Sequence, residues 1–224
     1  MDHFGIDFQQ GNVEIIPEIN LPIAEQQVIC FTGPSGSGKS SLLREVSRQL
    51  DGVLNIEQLT WEEKPLIDLL TSRQDGLALL VACGLGEGRL ALRSPSELSD
   101  GQRFRFKLAL GFSKKPKWLV CDEFTATLDR LLAELVSLNM QRLSERYQVG
   151  LLLATTHEDI ISSLKPDLHV RCLGGNRVEW KLGEGKKKET TSTSGSGSAQ
   201  EPKPTGRTSL GGIIEAITWA AAAR

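Results

Sequence analysis

A chain of 224 residues has room for one substantial domain with a buried core, and hardly for two. With 39% hydrophobic and 24% charged residues it has the balance of an ordinary soluble globular protein, and a formal net charge of −2 supplies no bulk attraction to nucleic acid or anionic membrane. No apolar run approaches the length that spans a bilayer, and the opening MDHFGIDFQQ lacks a basic region followed by an apolar stretch. Cys30, Cys83, Cys121 and Cys172 are scattered without a C-x-x-C pair, so neither a disulfide framework nor a zinc site is expected and a cytoplasmic location is.

In chain order, FGIDF, VEII and QQVICF read as strands punctuated by Gly11-Asn12, Pro17 and Pro22. QQVICF runs straight into a glycine-rich loop, as a buried parallel strand does. A helix is predicted from Ser40 to Leu50, with Leu42, Leu43 and Val46 on one face and Asp51-Gly52 closing it. VLNI is strand-like, and 66–84 reads as two helical stretches separated near Asp75-Gly76. A helix over 99–112, the buried strand WLVC, a long helix over 131–147 and the strand GLLLATT follow. Strands alternating with helices imply a parallel sheet covered on both faces. After Gly183 the composition turns to Ser, Thr, Gly, Pro and Lys, which predicts a disordered linker over 184–209. The apolar stretch 210–224 reads as a docking helix, the beginning of another domain or a poorly ordered terminus.

Gly33-Pro34-Ser35-Gly36-Ser37-Gly38-Lys39-Ser40 satisfies G-x-x-x-x-G-K-[ST] without a gap, between a predicted strand and a predicted helix. Glycines let the backbone curl so that successive N–H groups point at phosphate oxygens, and the following helix adds its positive end. Lys39 supplies a charge for the β- and γ-phosphates, the Ser40 hydroxyl is a Mg²⁺ ligand, and Ser41 is a further nucleotide-binding candidate. Nucleotide binding is the firmest expectation. WLVCDE then ends an apolar strand in two acids at the end that faces the ligand crevice of an open α/β sheet. Asp122 is placed to hold Mg²⁺ and Glu123 to polarise an attacking water.

Leu98-Ser99-Asp100-Gly101-Gln102 opens the helix that precedes this acidic strand. Taken with the phosphate loop, WLVCDE, Thr127-Leu128-Asp129 and Thr156-His157-Glu158-Asp159, it makes residues 4–183 resemble the ATP-binding-cassette (ABC) ATPases. The resemblance implies an α/β P-loop NTPase fold with an N-terminal antiparallel β part, a mainly parallel core sheet flanked by helices, and a reduced helical subdomain, all within 1–183. It further implies that Ser99, Gly101 and Gln102 act in trans on ATP held by a second copy, that Glu123 is the catalytic base, and that His157 contacts the γ-phosphate. ATP and Mg²⁺ are the implied cofactors and a homodimer with two ATP the implied assembly. Gln58 is the candidate for the family's metal-ligating glutamine, although it follows Lys39 unusually closely; a plain surface glutamine is the alternative. Phe8 is either an adenine-stacking aromatic or a core residue.

Departures from transporter subunits are the short stretch between Lys39 and Ser99, Asp100 in the signature, and Phe124 after Glu123. In these respects LSDGQRFRFKLA, CDEFTATLDR and TTHEDIISSLKPDL look closest to a soluble group of ABC ATPases often fused to acetyltransferases. The leading expectation is therefore an ATP-driven switch acting on a cytosolic protein or nucleic-acid partner. The nucleotide-binding subunit of a membrane transporter is the first alternative, and an ATP-gated dimerisation scaffold with little turnover the second. The basic clusters Lys114-Lys115-Pro116-Lys117 and Lys186-Lys187-Lys188 lack interleaved aromatics and read as solvated faces.

Overall fold

The computed structural model of the chain describes residues 19–174 and 177–183. The expected strands FGIDF and VEII, with the N-terminal antiparallel part they belong to, lie outside these residues. So do His3, Phe8 and everything after Gly183.

A single sheet runs β2-β3-β4-β1-β5-β6. Its strands are β1 (Val28–Thr32), β2 (Val53–Asn55), β3 (Trp118–Cys121), β4 (Gly150–Thr155), β5 (Leu168–Gly174) and β6 (Arg177–Leu182). All neighbours are parallel except β5 and β6. β1, β3 and β4 are buried along their whole length, as the continuous apolar runs VICFT, WLVC and GLLLAT require of central strands covered on both faces.

Seven helices occupy the described residues: α1 (Lys39–Arg48), α2 (Leu66–Leu69), α3 (Arg73–Ala82), α4 (Gly88–Ala91), α5 (Asp100–Ser113), α6 (Arg130–Tyr147) and α7 (Ile161–Leu164). The core divides in two across the sheet. Leu42, Leu43 and Val46 of α1 pack with Ile29, Phe31, Trp118, Val120 and Leu152 on one face. On the other, Phe106 and Phe112 of α5 and Val136 and Met140 of α6 pack with Leu119, Leu151 and Leu153. Each fully buried side chain of this size contributes about 1.5–3 kcal/mol of hydrophobic stabilisation.

The small helical part differs from expectation. The break falls at 70–72 rather than at Asp75-Gly76, which lie inside α3. Two local causes decide this. Ser72 caps α3 by accepting the Asp75 backbone N–H at 3.4 Å, and Gly76 is buried against Leu70, where a glycine permits close approach. The short helices α4 and α7 and the strands β5 and β6 are additions to the sequence reading. Strand β2 follows α1 directly, with only the turn at 49–52 between them, and this accounts for the short Lys39-to-Ser99 stretch.

Candidate functional site

Parallel pairing brings the C-terminal ends of β1, β3 and β4 to one edge. Thr32 stands beside Thr155, and Cys121 beside Leu153. The chain therefore delivers Gly33, Asp122 and Thr156 to the same crevice, at the point where β1 is followed by a crossover past β4 and β3. A cleft of roughly 400 Å³ lies there, lined by Ser35, Gly36, Gly38, Lys39, Ser40, Ser41, Asp122, Glu123, Ala126, Ala154, Thr155 and Thr156.

The phosphate loop is built for close approach. Gly33 has φ +141°, and a Cβ there would stand 2.0 Å from the Cys172 carbonyl oxygen, so a side chain is excluded on both counts. Gly38 caps α1 in a left-handed conformation, with no side chain bonded to the first-turn N–H groups and no acid in that turn. Those donors and the helix dipole are left for an anion. Lys39 is buried and folds back, its Nζ donating to the Gly33 carbonyl at 2.8 Å and the Pro34 carbonyl at 2.7 Å. The Ser37 hydroxyl is buried in the same loop and has no hydrogen-bond partner among the described residues. Beneath the loop, burial pushes the Cys172 thiol up to about 11 while nearby Lys39 opposes the shift. Cys172, like Cys30, Cys83 and Cys121, is a buried free thiol.

Opposite the loop, the Asp122 carboxylate accepts the Glu123 backbone N–H at 3.0 Å. Glu123 and Thr125 both occupy the left-handed region, at φ +51° and +67°. A turn so strained needs anchoring. Buried Phe124 provides it by donating its N–H to the Ala154 carbonyl at 2.7 Å. Ser40 and Asp122 put a hydroxyl and a carboxylate on one cleft, which are hard oxygen donors of the kind Mg²⁺ takes alongside phosphate and water. The residues therefore fit that ion.

His157 lies at the end of β4, one residue past the cleft-lining Thr156. Its backbone N–H donates to Thr155 Oγ1 at 3.0 Å, and its Nδ1 stands 3.3 Å from Thr125 Oγ1. Arg171 of β5 pairs with Glu158 at 3.5 Å, and Arg130 pairs with Asp159, which ties the residues after His157 to the start of α6. Gln58 ends a 3₁₀ turn after β2 and is exposed. It borders a separate depression with Asp122, Arg44 and Asn55, not the phosphate cleft itself.

The LSDGQ residues open α5, beside a second depression that Asp100 shares with Asp122 and Glu123. Ser99 caps α5, accepting the Gln102 N–H at 3.3 Å, while Gln102 Oε1 accepts the Ser99 N–H at 3.1 Å. Ser99, Gly101 and Gln102 all lie off the cleft lining. Gly101 sits against the Thr127 carbonyl. From α5, Arg105 donates to the Gly101 carbonyl at 3.1 Å and to the Gly84 carbonyl, which ties this helix to the turn that follows α3; burial lowers its pKa. Thr125, Arg130 and Arg171 are the site's neighbours that the sequence did not disclose, because their partners lie far away along the chain.

A mainly parallel sheet, a glycine-rich loop between β1 and α1, and an acid pair just after β3 are the features of a P-loop nucleotide-binding fold. No protein-family model matches the chain. Among curated proteins it is 28% identical over 212 residues to a methionine import ATP-binding protein of Vibrio vulnificus strain YJ016, covering 76% of this chain and 61% of that one. To the glutamine transport ATP-binding protein of Escherichia coli K12 it is 29% identical over 188 residues, covering 66% of this chain and 77% of that one. The chain thus spans about three-fifths of the length of the methionine-import relatives it matches. A dimeric post-hydrolysis ATP-binding cassette bound to ADP and Pi superposes with a TM-score of 0.61 at 20% identity, over 77% of this chain and 92% of that one. A dimeric bacterial ABC transporter cassette does so with 0.58 at 22%, over 74% and 90%. The fold is that of the ABC ATP-binding cassettes, and the curated relatives resemble the chain at 28–29% identity. Among the described residues no helix is long and apolar enough to cross a membrane.

Proposed function

We propose that the chain binds and hydrolyses ATP as a homodimer with two nucleotides at the interface. The observation that carries the reading is the shared cleft of Lys39, Ser40, Asp122 and Glu123. In this reading the loop N–H groups and Lys39 hold the phosphates, while Ser40 and Asp122 hold Mg²⁺, which when bound neutralises charge on the phosphate oxygens. Glu123 polarises the attacking water, and His157 contacts the γ-phosphate. Ser99, Gly101 and Gln102, which do not line their own cleft, complete the site of the second copy. Gln58, at the rim beside Asp122, is the weaker candidate for a further metal ligand.

The relatives are import and transport ATP-binding proteins, and this favours a transporter's nucleotide-binding subunit over a soluble switch. The direct α1-to-β2 connection and small helical part keep the soluble reading as the second one. Phosphate release from ATP and Mg²⁺ tests the core claim: the wild type is expected to turn over and Glu123→Gln to lose at least about 100-fold, in the range that general-base removal commands. Equal rates would refute it. Recovery with membranes rather than the soluble fraction of native cells separates the transporter reading from the switch.

A further inference from the structure

Thr125 is the residue around His157 that local preference does not explain. It is β-branched, yet it sits at φ +67°, where glycine or asparagine would be easier. Its side chain is fully buried. Its neighbours hold it firmly, since Phe124 donates to Ala154 and Leu128 donates to the Thr125 carbonyl at 3.0 Å. What the position gains from threonine is a hydroxyl 3.3 Å from Nδ1 of His157.

We propose that the Thr125 hydroxyl donates to Nδ1 of His157 and so keeps the neutral ring's proton on Nε2, which makes Thr125 the positioning residue of His157. The direction follows from satisfaction of buried groups. Among the described residues, His157 is the one partner recorded for Thr125 Oγ1. Were Nδ1 protonated, it would donate to Oγ1 and leave the buried hydroxyl hydrogen without an acceptor, a costly arrangement. With Nδ1 bare, both groups are satisfied. The backbone of His157 is fixed independently through Thr155, so the ring's tautomer and rotation are what Thr125 adds. Nε2, on the far side of the ring, is then an N–H donor suited to an anionic oxygen and not an acceptor that would repel it.

The inference deepens the ATPase reading and rests on it for the role of His157, but the tautomer is measurable without turnover. Long-range ¹H–¹⁵N correlation of the full-length protein, with histidine labelled and His157 assigned by loss in His157→Ala, should show Nδ1 unprotonated and Nε2 protonated under neutral conditions. Thr125→Ser should preserve that pattern and Thr125→Val should lose it. In ATPase assays Thr125→Val should lower kcat by roughly 10–100-fold, as for the partners of metal-ligating imidazoles, with KM for ATP little changed and Thr125→Ser close to wild type. A protonated Nδ1 in the wild type, or a wild-type pattern and rate in a folded Thr125→Val, overturns the proposal. If Thr125→Val fails to fold, the wild-type and Thr125→Ser spectra decide. A protein with the expected tautomer but no ATP turnover would instead overturn the ATPase reading and leave the tautomer assignment standing.

Discussion

Replacing Lys39 by alanine isolates the contact on which nucleotide binding most depends. In the free protein its ammonium spends two of three N–H donors on the Gly33 and Pro34 carbonyls, at 2.8 and 2.7 Å. The third is available to a phosphate without breaking either. The variant therefore forfeits one charge-assisted hydrogen bond to a highly charged ligand, about 1.5–3 kcal/mol. That corresponds to roughly 10–150-fold in Kd. The free protein should change less, because losing two bonds to carbonyls is offset by no longer burying an ammonium that has no carboxylate partner among the described residues. Titration calorimetry with ATP and Mg²⁺, beside thermal melting of both proteins, reads the two effects separately. A folded Lys39→Ala whose Kd lies within about twofold of wild type would refute the argument, since 1.4 kcal/mol is already tenfold.

Further outcomes are expected away from the phosphates. Gly150 faces Trp118 across the β3–β4 pairing, and a Cβ there would lie 2.5 Å from the indole. Gly150→Ala should cost about 1–3 kcal/mol through overpacking, read as a lower denaturant midpoint at unchanged slope; an unchanged midpoint contradicts the packing described. His169 is half-buried and hydrogen-bonded to Thr32 at 2.8 Å, and burial lowers its pKa below the ordinary value of 6.5. A depressed folded-state pKa means its contribution is complete above about pH 6.5 and is lost as pH falls through the folded value. His169→Gln should therefore lose less stability than wild type between about pH 7.5 and about pH 5.5; parallel losses would refute the shift.

What could be read in advance followed from signals local to the chain. The continuous apolar runs VICFT, WLVC and GLLLAT are buried central strands because nothing but a doubly covered position suits them. The phosphate loop and the acid pair were legible because their spacing to the adjoining strand and helix is the chemistry itself. The helix break was misplaced because Asp75-Gly76 is a turn signal in isolation, whereas the close packing of Gly76 on Leu70 is a tertiary fact. β5 was legible but was not read: LHVRC alternates apolar and polar residues with the period of two that a strand with one buried face shows. The Thr125–His157 contact joins residues 32 apart, and the clamps Arg171–Glu158 and Arg130–Asp159 likewise depend on strand order that no local pattern encodes.

The claim that the site is shared between two copies rests on Ser99, Gly101 and Gln102 lying off their own phosphate cleft. Glu123→Gln keeps the shape of the side chain while removing its basicity and one negative charge near the γ-phosphate, so hydrolysis should stall and the closed state should accumulate. Light scattering of Glu123→Gln with saturating ATP and Mg²⁺ tests this directly. The expected mass is that of a dimer, against a mainly monomeric nucleotide-free protein, and Ser99→Arg added to Glu123→Gln should return it to a monomer. A Glu123→Gln protein that binds ATP yet stays monomeric at saturation would contradict the shared site.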